Sequence, residues 1–186
     1  MDIHTYRCQQ GFTLLELMTG LSVTAILTVT SVPAFTELIQ RNQLTTEINT
    51  FVTHLHYVRS EAVKRGVRVV MCRSADEITC SRTQGWHKGW IIFTDRNANR
   101  EYDGDDELLY VRQGQENGIN ITSGRRRTIT YQNTGQSPGS NGTYVFCSPQ
   151  YPNHTKAVII SNSGRPRLSE VRPDGSDLTC SHSEPS

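Results

Sequence analysis

The sequence predicts an α+β fold in which a long N-terminal α-helix packs on an antiparallel, β-rich C-terminal domain. One observation is an apolar stretch at residues 12–35, which continues into a segment at residues 36–65 with the apolar spacing of an amphipathic helix. A second is that the later chain consists of short segments rich in β-branched and aromatic residues, with turn-forming residues between them. The predicted regions are a polar leader at 1–11, a helix at 12–65 and a globular domain at 66–186.

The first half of the predicted helix is apolar enough to span a membrane. Glu16 is the only ionisable residue between Phe12 and Phe35, and these 24 residues, at about 1.5 Å each, exceed a hydrocarbon core of ~30 Å. Because a charge in such a segment is costly, Glu16 is expected to need a partner. Pro33 is expected to kink the helix without ending it.

The second half of the helix carries one apolar stripe, which is expected to face a sheet. Spacings of three and four residues place its members on a single helix face. The helix is expected to end near residue 65, because Gly66 suits the position just past a helix C-terminus and basic residues precede it. The stripe consists of Leu44, Ile48, Phe51, Leu55, Val58 and Ala62.

Seven segments after the helix have the composition of antiparallel strands. Their β-branched and aromatic residues favour a pleated, half-buried surface, and Gly, Asn, Asp and Ser clusters separate them. About 150 residues lie beyond the leader and the apolar stretch, which is enough for one hydrophobic core. The segments are VRVVMC, GWIIFTD, ELLYVRQ, INIT, TITYQN, TYVFC and KAVIIS.

The junction between the leader and the apolar stretch carries a processing motif. An ordinary secretory signal has its cleavage site after the apolar region, whereas here Gly11 stands directly before it. The string GFTLLELMTGLSVTAI resembles the class III signal of type IV pilins and pseudopilins. The resemblance implies that prepilin peptidase cleaves after Gly11 and that Phe12 becomes the N-methylated first residue. Glu16 would then neutralise the α-amino group of a neighbouring subunit in the filament, which gives it a role in assembly.

Three further strings extend this resemblance over nearly the whole mature chain. VRSEAVKRG, GWIIFTDRNANREYDGDDELL and AVIISNSGRPRLS together resemble the FimT/GspH family of minor pilins and pseudopilins. The resemblance implies a type IV pilin-like fold and a place in a type IV pilus or a type II secretion pseudopilus. It also implies a bacterial inner-membrane location before assembly, with the C-terminal domain in the periplasm, and other pilins as partners. No enzymatic activity and no cofactor are expected.

The chain contains five cysteines, and loss of the leader would remove Cys8. The four that remain can pair in three ways. We favour Cys72–Cys80 and Cys147–Cys180, because each bond then closes a loop between neighbouring segments.

The charges are polarised although the net charge is only +1. Residues 94–117 contain seven acids against three arginines, and residues 119–172 contain seven Lys or Arg against Glu170 alone. A basic half of this kind favours a polyanionic partner, and we predict non-specific DNA binding. The basic residues are Arg125, Arg126, Arg127, Lys156, Arg165, Arg167 and Arg172.

Two copies of one pattern lie in this basic half, SGRRR at 123–127 and SGRPR at 163–167. Both are also compatible with ordinary solvated hairpin turns. Pro166 favours an extended backbone, which would place Arg165 and Arg167 on one side with Cα atoms about 6.6–6.8 Å apart. Two nucleotide steps along one DNA strand advance a similar distance, about 6.8 Å.

In competence-associated FimT-type pilins a G-R-x-R motif is implicated in DNA binding, and Gly164, Arg165 and Arg167 match it. The SGRRR arginines join the prediction on charge grounds only. The predicted function is therefore a minor pilin that binds extracellular DNA and supports natural transformation. The alternative is a structural minor pilin or secretion pseudopilin that initiates or caps the filament, or that contacts exported proteins.

Other chemistry is weakly supported. GQSPG matches a nucleophile elbow, but the Pro and Gly residues around it disfavour the helix that an elbow requires. Zinc is not favoured, because no C-x-x-C occurs and His54 and His56 point to different sides of a helix. A calcium loop lacks its turn glycine, which Arg100 replaces, so a solvated loop is the preferred interpretation. The calcium pattern would use Asp95, Asn97, Asn99, Glu101, Asp103 and Asp106.

Overall fold

The computed structural model describes residues 11–115, 118–124 and 126–180, except the side chains of residues 29–34. The predicted leader, apart from Gly11, therefore lies outside the described residues, as does Arg125. The chain divides into two compact units, Met1–Ile39 and Gln40–Ser186, and each is considered by itself.

The first unit contains the N-terminal part of a helix, α1, which extends from Leu14 to Arg65. The Thr13 hydroxyl accepts a hydrogen bond from the Glu16 amide at 3.2 Å and so caps the first turn. Further along, serine and threonine hydroxyls donate to carbonyl groups one turn earlier, which satisfies their hydrogen-bonding needs within the helix. Apolar side chains remain exposed along this part, from Phe12 to Leu27.

Among the helical residues that the structure describes, no stretch is both long and apolar enough to cross a membrane.

The second unit contains the rest of α1 and two four-stranded sheets. The first sheet has the strand order β3-β2-β1-β5, the second has the order β4-β6-β7-β8, and every neighbouring pair is antiparallel. A short 3₁₀ turn at Trp86–Lys88 precedes β2. The strands are β1 Val69–Arg73, β2 Gly89–Thr94, β3 Leu108–Gln113, β4 Asn120–Thr122, β5 Thr128–Tyr131, β6 Gly142–Ser148, β7 Tyr151–Ile160 and β8 Pro166–Ser169.

The core forms where the apolar stripe of α1 meets both sheets. All six stripe residues are buried in a single cluster with residues from six of the strands or their flanks and from the 3₁₀ turn. Phe51 lies at its centre, with ring centroids 5.2–5.7 Å from those of Trp86, Trp90, Tyr144 and Phe146. Aromatic pairs at these distances add to the free energy of area burial. The predicted fold class, a long helix on antiparallel sheets, is confirmed.

α1 ends as its sequence suggests, and two disulfides fix the later loops. Gly66 adopts a φ of +67°, the left-handed conformation that terminates many helices. Cys72 is bonded to Cys80, and Cys147 on β6 is bonded to Cys180, which is the pairing that loop closure favours. The second bond encloses β7, β8 and the turn between them.

Among the strands in the described residues, β8 is the one that the composition did not predict as separate. Its first residue is Pro166, which has no backbone N–H to donate, and β8 occupies an edge of the second sheet. Ile160 pairs with Pro166, and Ile159 pairs with Arg167. The G-R-x-R segment is therefore the turn and the start of an edge strand.

Candidate nucleic-acid interface

The turn between β7 and β8 is tight and requires glycine. The Gly164 amide donates a hydrogen bond to the Ser161 carbonyl at 2.8 Å, which closes a four-residue turn. Gly164 has a φ of +76°, in the left-handed region that other residues adopt only at a cost. It is buried, whereas Arg165 directly after it is exposed.

The loop between β5 and β6 holds this turn in place. The Tyr131 hydroxyl donates to the Gly164 carbonyl at 2.9 Å, and the Ser137 amide donates to the Asn162 carbonyl at 2.9 Å. Burial raises the pKa of Tyr131 to about 12, so its hydroxyl keeps the proton that it donates. A Cβ atom on Gly164 would lie 2.7 Å from the Gly135 carbonyl oxygen, which leaves no room for a side chain.

Arg165 and Arg167 are exposed on this docked turn. Because side chains alternate along β8, Arg167, which pairs with Ile159, lies on the opposite face of the sheet from Pro166 and Leu168. Neither guanidinium has a carboxylate within 4.0 Å among residues 11–115, 118–124 and 126–180. Both are therefore available to an external anion.

The structure does not bring Lys156 and Arg172 into the same arrangement. Lys156 and Ile159 are three residues apart on β7, so their side chains point to opposite faces of the sheet. Because Ile159 pairs with Arg167, Lys156 lies on the opposite face from Arg167. Its Nζ is 3.8 Å from a Glu170 carboxylate oxygen. Arg172 is half-buried at a separate turn. These two residues add positive charge to the domain without extending the arginine pair.

In the Ser123–Arg127 turn, the two described arginines have intramolecular partners. The Arg126 guanidinium donates to the Gly139 carbonyl, and it donates to the Asn141 side-chain oxygen at 3.4 Å. Arg127 forms an ion pair with Glu101 at 2.7 Å. Arg126 and Arg127 also line a cleft of about 410 Å³, but their charged groups are already engaged there.

Two carboxylates of the acidic segment, those of Asp103 and Asp106, accept hydrogen bonds from neighbouring residues of the same segment. The Asp103 carboxylate accepts hydrogen bonds from the side-chain amides of Asn97 and Asn99, and these bonds lower the pKa of Asp103. Asp106 accepts a hydrogen bond from the Arg96 amide at 3.1 Å. Within the described part of the chain, no group of three or more His, Cys, Asp or Glu side chains is placed to hold a metal ion.

The processing and assembly residues lie at the exposed start of α1. Gly11, Phe12 and Glu16 are all exposed. The Glu16 carboxylate lies in the first helical turn, where the helix dipole favours a negative charge. Its predicted partner, the α-amino group of another subunit, belongs to the filament, so the assembly role of Glu16 stays a prediction.

Comparisons with known proteins give the family. The prokaryotic N-terminal methylation motif matches residues 6–32. The family described as type II transport protein GspH matches residues 47–164, which is more than half of the chain. This chain belongs to the GspH family. Membership places it in the type IV pilin superfamily, and the predicted resemblance to FimT/GspH-type pilins is confirmed.

Two crystal structures of the type IV minor pilin FimU from Pseudomonas aeruginosa have the same fold. The structure in space group P21 has a TM-score of 0.56 and 21% identity, and the match covers 69% of this chain and 90% of that chain. The structure in space group P65 has a TM-score of 0.50 and 20% identity, with 70% and 90% coverage. A comparison with curated proteins gave no significant match.

Family membership fixes the general role of this GspH-family chain. It is a minor type IV pilin or pseudopilin, and its N-terminal motif is that of membrane-anchored pilus components. The family also implies association with other pilins and processing by prepilin peptidase. Pilins of this family are structural subunits.

Sequence reasoning missed the residues that support the arginine turn. Tyr131 and Ser137 lie about 30 residues before it, and their roles depend on how the β5–β6 loop folds over the β7–β8 turn. The nearest sequence signal is the glycine-rich string TGQSPGSNG, which predicts a loop but not its contacts.

Proposed function

We propose that this minor pilin binds extracellular DNA non-specifically through Arg165 and Arg167 and supports DNA uptake in natural transformation. The observation that carries the proposal is the pair of exposed guanidiniums on a docked turn, neither of which has a carboxylate within 4.0 Å among the residues that the structure describes. Guanidinium groups suit phosphate oxygens because they present several N–H donors in one plane. Contacts of this kind carry no sequence preference.

Docking of the turn favours binding because less conformational freedom is lost when DNA arrives. The hydrogen bonds from Tyr131 and Ser137 fix the main chain beside the two arginines. Two phosphate contacts alone give weak binding, and non-specific affinities are typically 10⁻⁴–10⁻⁶ M, so several subunits along a filament would be needed for capture.

The location that we propose follows from the N-terminal half. Residues 12–35 would anchor the subunit in the bacterial inner membrane as a single pass, with the C-terminal domain in the periplasm, until the subunit enters the pilus. Glu16 would then pair with the α-amino group of Phe12 of a neighbouring subunit. No cofactor is required for this role.

Salt titration tests DNA binding directly. The full-length chain, purified in a non-ionic detergent, is titrated with a short random-sequence duplex at several salt concentrations. The logarithm of the affinity should fall with the logarithm of salt by about 0.9 per phosphate contacted. R165Q/R167Q should flatten that slope by nearly two units and lower transformation frequency. Wild-type transformation by this variant at normal expression would refute the proposal.

A purely structural role in the filament is the second candidate. It is favoured by the row of exposed apolar side chains from Phe12 to Leu27, since such a row suits packing against other subunits. This role predicts that Glu16→Ala abolishes incorporation into filaments. It also predicts that R165Q/R167Q transforms like wild type.

A further inference from the structure

A third arginine lies beside the docked turn but comes from the helix. A Cβ atom on Gly135 would lie 3.1 Å from Arg59 Nε and 3.1 Å from Val63 Cγ2, so the loop main chain rests directly on these two side chains. The carbonyl oxygen of the same Gly135 would lie 2.7 Å from a Cβ atom on Gly164. One glycine is thus in contact with Arg59 on one side and with the arginine turn on the other.

The helix and the turn can approach closely because Gly135 and Gly164 have no side chains. Gly135 has a φ of +74° and is buried, and any side chain there would displace Arg59 or Val63. A side chain on Gly164 would likewise overlap the Gly135 carbonyl oxygen. The two glycines therefore bring the helix and the turn together with only main chain between them.

The Arg59 charge is not neutralised within the described part of the chain. No carboxylate lies within 4.0 Å of its guanidinium, and the side chain is half-buried against the loop. The basic residues that follow on α1 differ in this respect. Lys64 lies 3.8 Å and Arg65 lies 2.5 Å from carboxylate oxygens of Glu61.

The electrostatic environment of Tyr131 agrees with this placement. Burial raises the pKa of the Tyr131 hydroxyl, and the positive charge of Arg59 acts in the opposite direction. The same hydroxyl donates to the Gly164 carbonyl. Arg59 is therefore near the hydrogen bond that anchors the turn.

We infer that Arg59 is a third phosphate-contacting residue, on the helix side of the β7–β8 turn, and that it extends the interface of Arg165 and Arg167 around that turn. This inference rests on the proposed DNA-binding function. The ligand is a DNA phosphate beside those held by the turn, so the contact spans the helix end as well as the β7–β8 hairpin. Three contacts in place of two raise the expected salt slope from about 1.8 to about 2.7.

The test compares single-charge variants of α1 in the full-length chain purified in a non-ionic detergent. R59Q should flatten the salt slope for a random-sequence duplex by about 0.9, and R59K should keep the slope because it keeps the charge. The affinity advantage of wild type over R59Q should then shrink about 3.5-fold between 50 and 200 mM salt. K64Q is the matched control, since it removes the same charge from the same helix about 140° around its axis, and it should leave the slope unchanged.

The outcomes separate this inference from the function on which it rests. If R59Q keeps the wild-type slope while R165Q/R167Q loses nearly two units, Arg59 is not a contact residue and DNA binding stands. If R59K loses as much as R59Q, or if K64Q flattens the slope equally, the effect is packing or total charge and the inference is overturned. If R165Q/R167Q itself binds like wild type, the proposed function fails.

Discussion

The Ser123–Arg127 and Ser163–Arg167 turns share a Ser-Gly-Arg start and a second arginine two positions later, yet they present their charges differently. Both glycines are left-handed, with φ of +58° at Gly124 and +76° at Gly164. In the first turn, Arg126 and Arg127 bind a loop carbonyl and Glu101. In the second turn, the two arginines are exposed. Local sequence specifies the turn, whereas distant residues decide whether its charges are available.

The two turns are also connected through one loop. Arg126 donates to the carbonyl of Gly139 in the loop between β5 and β6. The Ser137 amide of the same loop donates to Asn162, beside the second turn. The loop between β5 and β6 thus contacts both arginine turns through separate main-chain groups.

The disulfides give the largest expected effect, because only one of them encloses the second turn. Replacing Cys147 and Cys180 by Ser should lower the free energy of unfolding by about 3–4 kcal/mol. Replacing Cys72 and Cys80 by Ser should lower it by about 2–3 kcal/mol, because the Cys72–Cys80 bond closes a shorter loop. Urea unfolding measures both values.

Amide exchange shows where the Cys147–Cys180 bond acts. In the C147S/C180S variant the Gly164 amide should exchange faster, and the Arg126 amide of the first turn should not change. Equal acceleration at both amides would mean that the bond stabilises the whole domain and does not hold the second turn in particular.

Alanine at the two turn glycines is expected to have unequal effects. Gly124→Ala meets only the left-handed backbone cost of about 1–2 kcal/mol, because no heavy atom lies within 4 Å of the added Cβ. Gly164→Ala adds an overlap with the Gly135 carbonyl, so its loss of unfolding free energy should be larger, about 2–4 kcal/mol. Thermal and urea unfolding compare the two, and equal losses would show that the second turn is not docked.

Much of the fold was predictable from sequence because it depends on periodic patterns. The apolar stripe of α1 and the strand composition both follow from which side chains are buried. β8 was less visible, since Pro166 and two arginines resemble loop composition. The arginine pair could be found from its motif, but the contacts of Tyr131 and Arg59 could not, because they join segments far apart in the chain.

Loss of the Tyr131 hydroxyl gives the smallest effect on stability. Tyr131→Phe removes one hydrogen bond to Gly164 and should lower the free energy of unfolding by about 1 kcal/mol, and DNA affinity should fall modestly. Tyr144→Phe is a comparison at a buried tyrosine whose hydroxyl has no hydrogen-bond partner among the described residues. It should leave the DNA affinity unchanged.

The raised pKa of Tyr131 should make the free energy of unfolding depend on pH. Burial raises the pKa of Tyr131 to about 12 from about 10 in the unfolded chain, so its contribution to stability is complete below pH 10 and is lost as pH rises toward 12. The loss from this group is at most about 1.4 kcal/mol per pH unit. Urea unfolding between pH 9 and 11 should therefore show a weaker decline in Tyr131→Phe than in wild type. Identical declines would show that ionisation of Tyr131 does not contribute to the loss of stability at high pH.

The most direct measurement compares the two turns in one DNA titration. R165Q/R167Q and R126Q/R127Q each remove two charges, and both are titrated as full-length protein at temperatures where both remain folded. If the exposed arginines of the second turn bind phosphates, R165Q/R167Q should flatten the salt slope by about 1.8, and R126Q/R127Q should change it by less than about 0.5. Equal flattening by the two variants would contradict the account, because it would mean that a diffuse positive field binds DNA and the docked turn does not.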